Sequence, residues 1–78
     1  MSKPRIFVDF QNTDERGRIR LNTVGTSKDL NRLGLELSEG LRVILESFEF
    51  EADAVVHKAP EELCWVAEID WDELRAKK

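Results

Sequence analysis

Phe48-Glu-Phe-Glu-Ala-Asp-Ala-Val-Val-His57 is the stretch whose reading decides the fold. Phe48, Phe50, Ala52, Ala54 and Val56 fall on one parity, and Glu49, Glu51, Asp53 and His57 on the other. Successive side chains leave a β-strand on opposite faces, so this alternation predicts a half-buried strand. A helix would scatter the same apolar residues around its circumference. The run is long enough to be a central strand with neighbours on both sides.

The pattern repeats on either side of it. Residues 5–11 read as a first strand with Ile6, Val8 and Phe10 inward. Phe7 is the misfit there, a sign that part of the second face is covered too. Residues 12–17 form a polar turn ending in Gly17, suited to a hairpin loop into a second strand at 18–23, with Ile19 and Leu21 inward. The period then changes. Leu30, Leu33 and Leu37 fall at helical spacing behind Thr26-Ser-Lys-Asp29, a hydroxyl followed three places later by an acid, which caps helix N-termini. Gly34 stands where a left-handed C-terminal residue is needed. These signals predict a helix of at most two turns over 27–33, held by packing its leucines on the sheet.

Residues 41–45 give a third strand with Leu41, Val43 and Leu45 inward, and Pro60 marks a turn over 58–62. Residues 64–71 give a fifth strand, with Trp65, Ala67, Ile69 and Trp71 on one face and Cys64, Val66, Glu68 and Asp70 on the other. The expectation is a mainly β domain: five short antiparallel strands in a small barrel or curled sheet of SH3-like size, with one short helix between strands 2 and 3. The single domain covers 1–78, its core 5–71, with 1–4 and 72–78 as flexible termini. Ile6, Val8, Phe10, Ile19, Leu21, Leu41, Val43, Leu45, Phe48, Phe50, Val56, Trp65 and Ile69 make the expected core.

Composition narrows the class further. Seventy-eight residues leave no room for a second core, and a domain this small buries only about 60–65% of its unfolded surface. Apolar runs are short throughout, so no membrane span is expected, and Ile6-Phe7-Val8 before Asp9 is too short for a signal-peptide core. A lone cysteine, Cys64, permits no internal disulfide and points to the cytoplasm. The net charge of −4 is unevenly spread. Residues 1–32 carry seven Lys/Arg against four Asp/Glu, and residues 33–78 carry five against twelve. Basic N-terminal strands lying beside acidic C-terminal ones would account for this. The sharper reading is an acidic surface that meets a basic partner and repels nucleic acid.

No catalytic constellation stands out, so an enzyme is not expected. His57 is the single histidine, at the end of a strand on its polar face, and with Cys64 it falls short of the four ligands of a structural zinc site. The four glycines are isolated, so there is no phosphate-cradling loop. No metal and no cofactor is expected. The reading left is a non-catalytic binding module with a protein partner, whose interaction surface draws on Arg5, Phe7, Arg18 and Arg20 of the first two strands. Trp71 joins them as an aromatic at the edge of the sheet.

An alternative rests on a resemblance. Arg16-Gly-Arg-Ile-Arg20 has the Arg-x-x-x-Arg spacing of PilZ domains, small β-barrels that bind cyclic di-GMP. Asp29-Leu-Asn31-Arg-Leu-Gly34 is similar to their Asp/Asn-x-Ser-x-x-Gly motif, with Asn31 at the serine, and Gly40-Leu-Arg-Val-Ile-Leu resembles the strand that follows. The resemblance covers residues 16–45. It implies that Arg16 and Arg20 grip phosphates and guanine edges while Asp29 and Asn31 hold the base. Helix capping explains Thr26, Asp29 and Gly34 without a ligand.

Overall fold

A computed structural model describes residues 3–77. It contains β1 (Arg5–Phe7), β2 (Ile19–Arg20), α1 (Val24–Leu33), β3 (Arg42–Glu46), β4 (Phe50–Ala59), β5 (Cys64–Ile69) and β6 (Arg75–Ala76), with 3-10 turns at Pro60–Glu62 and Trp71–Glu73. The strands form one curled mixed sheet, a half-barrel of order β1-β3-β4-β5-β2, with β6 paired to the start of β4. The mainly β class, the curled sheet and the one short helix between β2 and β3 are as expected. β4 is the central strand, antiparallel to β3 along 51–55 and to β5 along 54–59.

β1 departs from the all-antiparallel expectation. It lies parallel to β3, with Arg5 opposite Ile44 and Phe7 opposite Glu46, while β2 sits at the other end beside β5. Alternation fixes which face a residue takes but not which strand lies beside it, so Ile6 and Val8 point inward under either pairing. The polar loop still makes a tight hairpin, one segment later. Thr13 bridges Ile19, Arg20 N–H donates to Asn12 O at 2.9 Å, and Gly17 turns the chain at a φ of 79°.

The helix starts earlier than its capping signal suggests. Thr23 is the N-cap, its hydroxyl accepting from Thr26 N–H at 3.2 Å. Thr26 and Asp29 instead hold β1. The buried Thr26 hydroxyl donates to Phe7 O at 2.7 Å, and Asp29 Oδ2 accepts from Phe7 N–H at 2.8 Å. Two helix side chains thus satisfy both backbone groups of Phe7 and blunt the edge of the sheet. Gly34 ends the helix as predicted, in the left-handed region at a φ of 63°.

The core joins Ile6, Val8, Ile19, Leu21, Val43, Leu45, Ala54, Val56 and Ala67, with Phe10, Leu30, Leu35, Leu37, Leu41, Trp65 and Ile69 packed partly against it. Ala52, Ala54 and Val56 of the organising strand are buried on the expected parity. Phe48 and Phe50 are not core: 88% of Phe48 and 38% of Phe50 is exposed. The strand begins only at Phe50, so Phe48 belongs to a turn, where parity no longer dictates burial, and Phe50 stands at the strand's first position. Val66, expected outward, is fully buried, because Arg20 and His57 lie directly opposite it on the neighbouring strands and shield it. Trp71 lies past the end of β5 in a 3-10 turn.

Opposite charges from the two halves of the chain meet across the surface. Lys3 pairs with Asp53, Arg5 with Glu46 and Glu51, Arg18 with Glu61, and Arg20 with Glu62. In the expected tail, Arg75 pairs with Glu51 and Lys77 with Glu46. Of the termini expected to be flexible, Met1, Ser2 and Lys78 lie outside the described residues. Among the described residues no helix is long and apolar enough to cross a membrane.

Candidate functional site

All four phenylalanines of the chain line one groove at the end of the sheet where β1 and β3 part. The two strands run together as far as Val8 N–H, which donates to Glu46 O at 2.8 Å. Residues 9–12 then turn away: Asp9 accepts from Gln11 N–H through its carboxylate and from Asn12 N–H through its carbonyl. On the other side Ser47 reverses the chain into β4. Its hydroxyl accepts from Glu49 N–H at 3.3 Å and Phe50 N–H at 3.1 Å, and its own N–H donates to Phe50 O at 2.8 Å. This turn throws Phe48 outward at its tip. Lys77 braces it, N–H to Glu49 O and Nζ to Ser47 O and Glu46.

The groove holds about 430 Å³ between residues 7–11 and 47–50. The Phe7 and Phe48 rings meet edge to face at 5.1 Å, a favoured aromatic geometry. Phe7 rests on α1 at Gly25, where a Cβ would stand 2.9 Å from its ring, so the helix needs a glycine there for the ring to fit. At the far wall Phe10 meets Trp71 edge to face at 6.5 Å. The Trp71 indole N–H donates to Gly17 O at 3.0 Å, fixing the ring with 43% of the residue exposed. The result is an apolar surface held by backbone turns, not by burial.

The residues singled out in the sequence fall into separate places. Phe7 and Trp71 belong to this aromatic surface. Arg5 is engaged with Glu46 and Glu51 on the outer face of the sheet, which raises its pKa and, through the Arg5 and then the Arg75 contacts, lowers that of Glu51. Arg18 is held by Asp14 and Arg20 by Glu62, at 2.6 Å each, and both guanidinium pKa values rise accordingly. Burial works to raise the Asp14 pKa, but the Arg18 and Arg16 N–H groups and the Arg18 guanidinium outweigh it and bring it below the usual value. Of the residues implied by the PilZ resemblance, Arg16 borders an outer-face hollow with Arg18, Glu39, His57, Lys58 and Glu68. Arg20 is occupied by Glu62 and Asn12. Asp29 is spent on Phe7 N–H and Arg32, and Asn31 is exposed on α1. The two arginines and the two helix residues share no bonding partner.

His57 sits half-buried between Glu39 and Glu68, bonded to the first through Nδ1 and 3.6 Å from the second. Glu39 also accepts from Lys58 N–H at 3.0 Å; that contact and then His57 lower its pKa. Burial is the main cause that pushes the pKa of the half-buried Cys64 thiol up. Phe10, Phe48 and Phe50 are the site residues that sequence reasoning assigned to the core. Two signals point to them: Glu46-Ser47 interrupts the alternation just before Phe48, and Phe7 stands on the wrong parity. Comparison of the chain with known protein families, curated proteins and solved structures gives no match.

Proposed function

We propose that this domain is a non-catalytic binding module whose aromatic groove receives apolar side chains of a partner protein. The observation that carries the reading is Phe48, 88% exposed on a turn built by Ser47, its ring edge to face with Phe7 and beside Phe10 and Phe50. Exposed large aromatics gathered around a preformed hollow are the anchors from which protein interfaces draw most of their energy. Both turns are already hydrogen-bonded through Asp9 and Ser47, an arrangement that limits the ordering entropy lost on binding. A domain of 78 residues with a single cysteine, and so no internal disulfide, suits a reducing compartment, and we propose a cytoplasmic location on that ground. The alternative, a PilZ-like cyclic dinucleotide site, would require Arg20 and Asp29 to leave Glu62 and the Phe7 amide.

Titration of the labelled domain with indole, as a mimic of a partner's aromatic side chain, and separately with cyclic di-GMP tests this. Indole is expected to shift the amides of residues 7–11 and 47–50 saturably, and Phe48→Ser to abolish the response. A flat response there, or saturable shifts at Arg16, Arg20 and Asp29 with the dinucleotide, would overturn the proposal.

A further inference from the structure

The groove is apolar within but acidic around its margin. Asp9 and Glu49 stand exposed on its two lips. Asp70, Asp72 and Glu73 surround Trp71, which continues the aromatic surface beyond Phe10. None of these five carboxylates has an ion-pair partner among the described residues, whereas Glu46 and Glu51 on β3 and β4 and Glu61 and Glu62 in the turn before β5 each pair with arginine or lysine; Glu15, Glu36 and Glu68, which also lack such a partner, do not line the groove. Lys77, the cation bound at the turn, is committed to Glu46 and the Ser47 carbonyl. The free negative charge of the groove region is therefore concentrated where the aromatics are exposed.

We infer that the occupant is a basic segment of a partner protein, one that sets aromatic or aliphatic side chains into the groove and lays lysines or arginines against Asp9, Glu49 and the Trp71 turn. This rests on the groove being a binding site, and adds what it selects. The charge decides among occupants. Nucleic acid and anionic lipid would bring phosphates to unpaired carboxylates, and a second copy would bring an identical acidic rim against the first; both juxtapositions are repulsive. A basic segment is attracted from a distance and relieves that repulsion on docking. Its rim contacts would act mainly on association rate and salt dependence, while the rings set dissociation.

Selection of a displayed random-peptide library on the wild-type domain, counter-screened on Phe48→Ser, tests the inference. Phe48 is almost wholly exposed, so its replacement leaves the fold intact. Clones that depend on the groove should lose at least about tenfold in affinity on Phe48→Ser, the scale of one interface anchor. They should carry net positive charge and bind several-fold more weakly as salt rises from about 50 to 300 mM. The double variant Asp9→Asn, Glu49→Gln should flatten that salt dependence. Groove-dependent clones that are neutral or acidic would overturn the basic-partner inference and leave the binding reading standing. No clone that discriminates between the two baits would sink the binding reading itself. Sedimentation as a dimer by the wild type, with Phe48→Ser monomeric, would make the occupant a second copy and overturn the inference.

Discussion

Replacing Thr26 by valine removes one hydroxyl and almost no volume, so it isolates the polar contact that docks α1 on β1. Thr26 is fully buried. Its single hydroxyl proton goes to Phe7 O at 2.7 Å, so the Thr23 hydroxyl, 2.9 Å away, must be the donor to Thr26. Valine severs both bonds at about 0.5–1.5 kcal/mol each and leaves the Phe7 carbonyl on the sheet edge without its partner. Helix propensity hardly changes, since threonine and valine rank together. The expected loss is about 2 kcal/mol, or roughly 8–16 °C in Tm for a domain of this size. Thr26→Ser keeps the hydroxyl and gives up one methyl, so it should cost only about 0.8 kcal/mol. Urea melts of both variants give the order directly. If serine proves costlier than valine, the slot is held by packing and the hydrogen-bonded dock is the wrong explanation.

Other outcomes follow from burial and charge. Leu45→Ala, emptying a fully buried site on β3, should cost about 2–5 kcal/mol, while Phe48→Ser should stay within about 0.5 kcal/mol in the same denaturant melts. Leu63 is 93% exposed in a left-handed conformation at a φ of 56°, so Leu63→Gly should raise stability by up to about 1 kcal/mol, relief of strain exceeding the entropy glycine adds to the unfolded chain. Asp14, Glu39 and Glu51 have folded pKa values below their ordinary ones, so their stabilisation is complete above about pH 5 and is lost as pH falls through the folded values. Tm should therefore be level near neutrality and drop in acid, and Asp14→Asn should start lower and drop less.

How much of this was legible in the sequence depends on what alternation encodes. Parity names a face, and it named the right one for Ile6, Val8, Ile19, Leu21, Val43, Leu45 and Val56. It cannot name a neighbour, so β1 beside β3 was out of reach, and so was the role of Thr26 and Asp29 in holding it. Nor does it mark where a sheet stops. From Phe50, the first residue of β4, Phe48 continues the strand's rhythm back into a turn that no longer has a buried side. Val66 shows the opposite failure: an outer-face residue buried by its long cross-strand neighbours, which a one-strand reading does not register. The groove itself is half visible in the sequence: parity and position mark Phe7 and Trp71 as surface aromatics, while the same parity assigns Phe10, Phe48 and Phe50 to the core.

The most direct test of the account is photo-crosslinking in the native cell from a benzoylphenylalanine placed at position 48, with position 42 on the opposite end of the sheet as control. The expected result is a discrete adduct from position 48 that a basic, aromatic-bearing peptide competes away, with none from position 42. An adduct from position 42 alone, or one from position 48 that the peptide leaves untouched, would contradict it.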